Sequence, residues 1–457
     1  MSLLDPLISF IKETGFRNIP QEVIEQAKIR IIDLISACGI GYLSGVKNPF
    51  WAFASIYKDS QRATIFFNQK RSFAPHAAAC NTFLANSSGM EDGSRFAGAH
   101  PSSAIIPSAV AAAEMIDASG QDLITAIVTA YDIYLRIGYA LYPNNLKKGF
   151  QASAILAPIG SAAAAGKILN LDFSSLKSCL SLACLSASGL KVAFDEYESK
   201  CYQIAKGVKA GMEACLFAQK GLKGPDRVLE GGFLKAYGGE EGRLELRNLG
   251  SSFYLLQTYV KVHAGCRLIH PCIDAILFLR EKERIFPEQV EMVSIGVTSA
   301  AREMEKEKVK NVYDARLNTP FLVALALKNG EVSENQITEE ALKDRIIKDL
   351  LGKIKVDVDP ELDQKYPSQR GAKVIIRLKD GRSIYQKIDF AEGEPETPLS
   401  MEKIREKFQR ALEKLLSNDK VTFLYQFLSE LERQDSVHPL CKELGGFPKV
   451  FYPDEIA

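Results

Sequence analysis

Residues 151–166 read QASAILAPIGSAAAAG, a stretch that holds no charged side chain and is rich in alanine. It is too short to cross the roughly 30 Å of bilayer hydrocarbon, and Pro158 interrupts it. Small side chains let helix axes approach closely, and a helix without a polar face is buried on all sides. We therefore predict a packed interior helix here rather than a membrane anchor.

Segments rich in small and apolar residues continue through the first half of the chain. Small residues also dominate residues 109–113 and 182–189, and apolar residues recur near a helical period between Pro20 and Gly45. Together these patterns predict an all-helical region that reaches about residue 260.

The pattern changes after Lys261. Apolar and charged residues alternate through 353–359, which is the period of a half-buried strand. Residues 374–390 predict a hairpin, because Asp380-Gly381 suits a type I′ turn between two apolar alternations. A further strand is predicted at 290–298, and helices are predicted at 271–280 and 318–328. The interleaved patterns indicate an α+β domain.

Helical patterns return over 399–432, and we expect this segment to pack against the first domain. The predicted fold class is multi-domain, α and α+β. A large all-helical domain takes residues 1–268 and 395–457 from both chain ends, and a smaller inserted α+β domain takes residues 269–394.

Charge and cysteine content exclude several classes of partner. Lys and Arg number 57 against 56 Asp and Glu, so the net charge is +1 and neither nucleic acid nor an anionic membrane is expected as a partner. Nine cysteines without a C-x-x-C motif indicate reduced thiols in a cytoplasm. Residues 1–13 carry Asp5, Lys12 and Glu13 and lack the features of a secretory signal, so we expect a cytoplasmic protein.

Cofactor-binding motifs are missing from the sequence. With five histidines and no H-E-x-x-H motif, no metal site is predicted. The sequence also contains no P-loop, no Rossmann glycine pattern in a strand–helix context and no G-x-S-x-G. We therefore predict chemistry that uses side chains only, without a cofactor.

Three segments could carry that chemistry, and the first is GMEDGSRFAGAHPSS at residues 89–103. It gathers carboxylates, hydroxyls, a guanidinium and an imidazole directly before an apolar helix. Such a loop can hold an acid–base group close to an anion site. The alternative is a solvent-facing connection in which Ser102 or Ser103 caps the next helix.

The second segment is YESKCYQIAKG at residues 197–207. Lys200 precedes a small-residue helix, where a cation near apolar surface can bind a carboxylate or act as a tuned base. The alternative is a surface lysine whose ammonium group reaches into water.

The third segment is VKVHAGCRLIHP at residues 260–271, where the two sequence patterns meet. Arg267 suits bidentate capture of a carboxylate and Lys261 a point-charge contact, with His263 and His270 beside them. The alternative is a basic linker exposed to solvent. Cys266 is interpreted as a packed thiol rather than a nucleophile.

In that order, the three segments resemble the MmgE/PrpD family, which includes 2-methylcitrate dehydratases, cis-aconitate decarboxylases and an iminodisuccinate epimerase. Further matching motifs lie at 130–138, 158–167 and 224–233. The resemblance implies a helical domain from both chain ends, an inserted α+β lid and a homodimer. It also implies an active site between the domains that handles small polycarboxylates without metal or organic cofactor.

The resemblance carries site residues to this chain by position. It implies catalytic residues and substrate-binding residues. The predicted catalytic residues are Asp92, His100, Lys200 and Lys261. The predicted substrate-binding residues are Glu91, Ser94, Arg95, Gln151, Arg267 and His270. Gapless alignment from His100 places Asp92 on a family aspartate, and Glu91 fills a second acidic role after a one-residue shift.

The chain departs from the family pattern at three positions. Gln151 and Cys266 stand where relatives have histidines, and Phe321 stands where the decarboxylases have a tyrosine. The leading hypothesis is dehydration of a small hydroxy-polycarboxylate related to 2-methylcitrate. The alternatives are an epimerase or racemase, a decarboxylase of a dicarboxylate or tricarboxylate, and an inactive polycarboxylate-binding paralogue.

Overall fold

A computed structural model describes residues 2–46, 48–60 and 63–446 of the chain. The chain divides into two compact units. The first unit takes the chain up to Thr258 and again from Ser400, and the second is Tyr259–Leu399. The fold is mostly helical and combines α and α+β parts, whereas the role of the second unit as a lid stays a prediction.

Residues 259–268 belong to the second unit, whereas the sequence analysis groups them with the helical domain. Backbone hydrogen bonds tie this segment to its unit. Val260 N donates to Gly393 O at 3.0 Å, and Cys266 N donates to Arg316 O at 2.9 Å.

Helices form most of the first unit, with one short antiparallel strand pair, β1 (Ala63–Thr64) and β2 (Arg71–Ser72). The helices before the second unit are α1 (Leu4–Glu13), α2 (Gln21–Leu43), α3 (Ala74–Ser88), α4 (Ser102–Ile116), α5 (Gly120–Leu141), α6 (Asn144–Lys147), α7 (Ala152–Ile168), α8 (Phe173–Leu185), α9 (Tyr197–Gln219) and α10 (Leu234–Tyr237). The uncharged stretch is α7 and is buried from Ala152 to Gly166, which confirms the predicted interior helix.

The helix predicted over 182–189 is wrong at its end, because α8 stops at Leu185. The chain then passes close to the start of α7. Gly189 has φ +154°, and a Cβ there would lie 2.3 Å from the Ala154 Cβ, so only glycine fits this passage.

Small residues let α7 and α9 pack tightly. A Cβ built on Gly211 of α9 would lie 2.2 Å from the Pro158 carbonyl oxygen of α7. The proline ring gives that carbonyl little freedom to move. The absence of a side chain at Gly211 therefore sets the distance between α7 and α9, the helix that carries Lys200.

Replacing Gly211 with Ala is expected to lower the free energy of unfolding by about 1–3 kcal/mol, because the added methyl overpacks a backbone contact. Denaturant unfolding of the whole chain measures the change. Gly231→Ala is the matched control, since no heavy atom lies within 4 Å of its added Cβ. Equal unfolding midpoints for the two variants would contradict this packing.

The second unit is built on a four-stranded sheet of order β4-β3-β5-β6. Its elements are α11 (His270–Lys282), β3 (Val290–Val297), α12 (Ser299–Met304), α13 (Val312–Ala315), α14 (Thr319–Asn329), α15 (Glu339–Lys343), α16 (Arg345–Leu351), β4 (Ile354–Val358), α17 (Pro360–Gln364), β5 (Ala372–Leu378) and β6 (Ser383–Ile388). β4 runs parallel to β3, and the other pairs are antiparallel. The predicted strands and helices of this region are confirmed.

The predicted hairpin forms between β5 and β6, but its type I′ turn is wrong. A type I′ turn needs positive φ at both central residues. Among the described residues of this loop only Gly381 has positive φ, at 91°, and its N–H donates to Leu378 O at 3.0 Å. The Asp380 carboxylate instead accepts a hydrogen bond from Arg382 N at 3.0 Å, which favours a longer loop.

The chain returns to the first unit as two helices and a short third one, α18 (Met401–Leu412), α19 (Asn418–Ser429) and α20 (His438–Leu444). The single pattern predicted over 399–432 is thus interrupted after Leu412. α18 packs against α2, where Lys407 Nζ lies 2.5 Å from Asp33 Oδ1, as expected for a segment that rejoins the first domain. Across the described residues, no helix combines the length and apolar character needed to cross a membrane.

Candidate active site

The loop between α3 and α4 has a fixed backbone. Gly89 ends α3 in the left-handed region, with φ 70°. Ser94 N donates to Ala99 O at 2.9 Å, and Gly98 N donates back to Ser94 O at 2.9 Å. A Cβ on Gly98 would lie 2.4 Å from the Tyr142 ring. The polar side chains of this loop therefore start from constrained positions.

Asp92 is fully buried, and both of its carboxylate oxygens accept hydrogen bonds. Oδ1 accepts from Ser102 N at 2.9 Å, and Oδ2 accepts from the Tyr131 hydroxyl at 2.9 Å. Arg30 Nε lies 3.8 Å from Oδ2. Burial raises the pKa of Asp92 to about 6, against the opposing effects of Arg30 and the Ser102 hydrogen bonds.

The Asp92 carboxylate, rather than a serine side chain, caps the N-terminus of α4. The N-cap residue of α4 is Pro101, which forms no side-chain cap, and Ser103 Oγ donates to His100 O at 3.2 Å. The Asp92 carboxylate takes the place of a cap on Ser102 N. The alternative in which Ser102 or Ser103 caps the helix is therefore wrong.

The raised pKa of Asp92 makes folding stability depend on pH. Because its folded pKa of about 6 exceeds the ordinary 3.8, its contribution to stability is fully present below pH 3.8 and is lost as pH rises through about 6. Asp92→Asn removes this titration. We compare the unfolding free energies of the wild type and of Asp92→Asn at two pH values. The difference, wild type minus variant, is expected to be about 2 kcal/mol smaller at about pH 7 than at about pH 4. Denaturant unfolding at both pH values measures this difference, and a constant difference would contradict the raised pKa.

The tautomer of His100 is set by a backbone carbonyl. His100 Nδ1 lies 2.6 Å from Asp92 O, and a carbonyl oxygen can only accept. Nδ1 therefore carries the proton, and in the neutral ring Nε2 carries the lone pair. The backbone N–H of His100 donates to Ser153 Oγ at 3.0 Å, which ties this residue to the start of α7.

Lys200 is buried and forms an ion pair with buried Glu91, with Nζ 3.4 Å from Oε1. Burial alone lowers the pKa of this lysine, but the Glu91 carboxylate, with Tyr197 and Cys201, more than reverses the effect, so the pKa of Lys200 is raised. A raised pKa keeps the ammonium charged. Lys200 is thus a buried cation, and the surface-lysine interpretation is wrong.

The other predicted residues of the first unit lie close to these groups. Ser94 and Arg95 share the loop, and Arg95 is buried with its guanidinium carbon 4.9 Å from the Phe96 ring centroid. Gln151 is the N-cap residue of α7, and its Oε1 accepts a hydrogen bond from Gln203 Nε2. The first unit therefore brings together the loop residues, Lys200 and the start of α7.

In the second unit, the guanidinium of Arg267 is held by protein acceptors. Nε lies 3.1 Å from Glu394 Oε1, and the two terminal nitrogens donate to Glu392 O at 2.9 Å and Ala391 O at 3.2 Å. The group also lies 4.6 Å from the Tyr259 ring centroid. Arg267 thus fixes the 391–394 loop against its own segment.

His270 is fully buried at the start of α11, and its Nδ1 accepts from Arg267 at 3.1 Å. Burial and the neighbouring cations Arg267 and Lys261 hold the pKa of His270 well below its usual range. Its ring is therefore neutral. Lys261 is buried in the same unit.

Comparisons with known proteins agree with the sequence motifs. Residues 5–243 match the MmgE/PrpD N-terminal domain, and residues 263–426 match the MmgE/PrpD C-terminal domain. The chain belongs to the MmgE/PrpD family. The family match takes in the loop of His100, the helix of Lys200 and all but the first residues of the third segment.

Relatives of known activity align over nearly the whole chain. The cis-aconitate decarboxylase of Mus musculus is 23% identical over 465 residues, which cover 97% of this chain and 94% of the mouse protein. The cis-aconitate decarboxylase of Aspergillus terreus is 25% identical over 462 residues, covering 94% and 93%. That of Homo sapiens is 25% identical over 446 residues, covering 94% and 92%.

Two positions that depart from the family pattern serve packing in the second unit. Phe321 is buried in α14, and its N–H donates to Asn318 Oδ1 at 2.7 Å. Cys266 is half-buried and pairs through its backbone with Arg316. The Phe321 ring carries no group that can transfer a proton. Among the described residues, no group of three or more His, Cys, Asp and Glu side chains could hold a metal ion.

Sequence reasoning missed three residues that position the first-unit groups. Tyr131 and Arg30 hold the Asp92 carboxylate, and Ser153 accepts from the backbone of His100. Tyr131 and Arg30 could have been noticed as polar groups inside apolar helical patterns, because buried polar groups need partners. Ser153 offers no comparable signal.

Proposed function

We propose that this protein is a lyase that acts on a small polycarboxylate by acid–base catalysis. One observation carries the proposal. His100, in a fixed tautomer, shares a loop with Glu91, which pairs with the buried cation Lys200. A positioned proton acceptor and a fixed cation that are held by the same loop suit proton removal next to a substrate carboxylate. Relatedness to cis-aconitate decarboxylases over nearly the whole chain supports the same substrate class.

The proposal gives each group a role that its surroundings favour. Lys200 binds a substrate carboxylate and stabilises the negative charge that develops when the neighbouring carbon loses a proton. His100 accepts that proton at Nε2. Asp92 positions His100 through its backbone carbonyl, which accepts from Nδ1, while both of its carboxylate oxygens are engaged elsewhere within the protein. The catalytic role of Lys261, which lies in the second unit, stays a prediction.

The remaining assignments stay predictions. Further substrate contacts are predicted for Glu91, Ser94, Arg95, Gln151, Arg267 and His270. A homodimer and a cytoplasmic location also stay predictions.

Dehydration of a hydroxy-polycarboxylate related to 2-methylcitrate is the reaction that we propose first. The base takes a proton from the carbon beside a carboxylate, and the C–H electron pair forms the double bond. The C–O bond breaks, and the oxygen leaves as water after it takes a proton from a general acid. The absence of histidine at Gln151 and Cys266 favours this reaction over the one that the decarboxylases catalyse.

Decarboxylation of a cis-aconitate-like acid is the second candidate, and the activities of the relatives favour it. In this reaction the bond to the departing carboxylate breaks and carbon dioxide leaves. The electron pair passes into the conjugated acid, and a carbon atom takes a proton in its place. The same cation and proton-transferring groups serve this chemistry.

Proton NMR of the full chain with a panel of acids in D₂O tests the proposal. The panel contains 2-methylcitrate, citrate, cis-aconitate and imino- or amino-dicarboxylates. Dehydration yields an alkene that keeps every carbon atom of the substrate, whereas decarboxylation releases carbon dioxide, which is measured in the headspace. Deuterium incorporation without elimination identifies an epimerase.

The panel also has an outcome that overturns the lyase. If no acid changes over a long incubation while tricarboxylates still raise the thermal midpoint, the protein is a binding paralogue rather than an enzyme. His100→Asn is the matched variant for every positive reaction. A reaction that survives this substitution unchanged does not use the proposed base.

A further inference from the structure

Two glutamine side chains join α9 to the start of α7 within the first unit. Gln203 lies on α9, and Gln151 is the N-cap residue of α7. Gln203 Nε2 donates to Gln151 Oε1, and the same amide also binds the backbone of Leu190. One side chain of α9 thus holds both the start of α7 and the loop that follows α8.

The backbone of Leu190 decides which way the Gln203 amide is turned. Leu190 N can only donate, and it donates to Gln203 Oε1 at 2.9 Å. Leu190 O can only accept, and Gln203 Nε2 donates to it at 3.1 Å. Turning the amide by 180° would break both hydrogen bonds. Gln203 Nε2 is therefore the atom that faces Gln151.

The orientation of Gln203 fixes the Gln151 amide in turn. A donor that faces Gln151 requires its oxygen, so Oε1 is turned toward Gln203 and Nε2 is left for another partner. Within the part of the chain that the structure describes, Gln151 Nε2 has no hydrogen-bond partner. Gln151 keeps only 3% of its surface accessible. Since buried polar groups are normally paired, this donor indicates a contact for a bound molecule.

The unpaired amide nitrogen belongs to the helix start that also holds His100. Ser153, two positions after Gln151, accepts from the backbone N–H of His100 at 3.0 Å. On α9, Lys200 and Gln203 are three positions apart, which makes them neighbours on the helix surface. Short stretches of chain therefore connect the amide pair with both the proposed base and the proposed cation.

The chemistry of an amide nitrogen limits what it can bind. It donates hydrogen bonds and does not accept them, so its partner must be an acceptor. Among the groups of a small polycarboxylate, an ionised carboxylate is the strongest acceptor, because charge-assisted hydrogen bonds are roughly twice as strong as neutral ones. The amide also carries no proton that it could transfer, so this contact binds without taking part in acid–base chemistry.

We propose that Gln151 Nε2 donates to a substrate carboxylate and that Gln203 is the positioning residue that presents this donor. The inference rests on the proposed function and deepens it by naming a specificity contact. The pair discriminates against a molecule with a hydrogen-bond donor at this point, since two donors would then face each other. Gln203 acts through Gln151 and does not touch the substrate.

Gln203→Glu tests the orientation in the full chain. The carboxylate can still accept from Leu190 N but cannot donate, so the Gln151 amide is expected to turn and present Oε1. We expect KM for the reactive acid to rise about 10- to 100-fold, with kcat changed by less than about threefold. The dissociation constant of tricarballylate, a tricarboxylate without a hydroxyl group or double bond, is expected to rise equally.

Lys206→Gln is the matched control for charge. It makes the net charge more negative by the same amount at an exposed position of α9, one turn beyond Gln203. Because an exposed charge is screened by solvent, KM is expected to stay within about twofold of wild type. A rise equal to that of Gln203→Glu would attribute the effect to charge alone and overturn the positioning role.

Gln151→Met removes the donor itself and keeps an unbranched side chain. It is expected to raise KM and the dissociation constant of tricarballylate as much as Gln203→Glu does. Adding Gln203→Glu to Gln151→Met is expected to have no further effect, because Gln203 acts only through Gln151. Thermal midpoints confirm that each variant is folded. Fully additive effects on binding would overturn the positioning role of Gln203.

Calorimetric binding of tricarballylate separates the two proposals because it needs no turnover. If no acid of the panel reacts but both variants weaken this binding, the lyase fails and the carboxylate contact stands. If an acid reacts and neither variant changes its KM or the binding of tricarballylate, the inference is overturned while the proposed function stands. If no acid reacts and tricarballylate does not bind the wild type, both proposals fail.

Discussion

Replacing Lys200 with Met is expected to lower the free energy of unfolding by about 3–5 kcal/mol, because it takes away the ammonium that lies 3.4 Å from the buried Glu91 carboxylate. The same substitution removes the cation proposed to bind substrate. Product formation is therefore expected to fall as well. Denaturant unfolding measures the first effect, and initial rates on the reactive acid of the panel measure the second.

A double-mutant cycle separates these two effects. Glu91→Gln combined with Lys200→Met removes both buried charges, and it is expected to recover part of the stability that Lys200→Met alone loses. Activity is not expected to return, because the cation is still missing. Strictly additive stability losses would show that the pair is not coupled and would contradict the role given to Glu91.

Replacing His100 with Asn is expected to lower kcat by about 10²–10⁴ while KM changes little. The asparagine amide can still donate to Asp92 O, so it imitates the Nδ1 contact of the ring without providing a proton acceptor. Initial rates over a range of substrate concentration measure both constants, and His438→Asn provides the histidine control. Unchanged kcat in a folded His100→Asn protein would remove His100 from the chemistry.

Much of the fold follows from local patterns in the sequence. The uncharged stretch of α7, the alternation of β4 and the apolar halves of the β5–β6 hairpin each report burial directly through period and composition. The hairpin turn did not follow, because Asp380 uses its side chain on Arg382 N instead of adopting positive φ. Turn geometry depends on such side-chain contacts, which residue type alone does not fix.

The sequence identified the segments that form the candidate site, but it did not predict the contacts that their side chains make. The motifs identified the loop of His100 and the helix of Lys200, and composition favoured a surface lysine. Burial of Lys200 arises from the long-range approach of Glu91, 109 positions away in the chain. The engagement of Asp92 by Tyr131 is likewise a tertiary contact. Such pairings depend on the packing of α5 and α9, which no local pattern encodes.

The contacts of His100 and Asp92 in the structure support the proposed roles of a proton acceptor and its positioning residue. Sequence alone left acid and base open between them. A carbonyl oxygen 2.6 Å from Nδ1 decides the tautomer of His100, and the Asp92 carboxylate accepts from two donors within the protein.

A crystal structure of the full chain with tricarballylate tests the central claim most directly. We expect one carboxylate of the ligand within about 3 Å of Lys200 Nζ, and a carbon next to a carboxylate in front of His100 Nε2. A ligand that binds elsewhere, with Lys200 and His100 both out of reach, would contradict the proposed site.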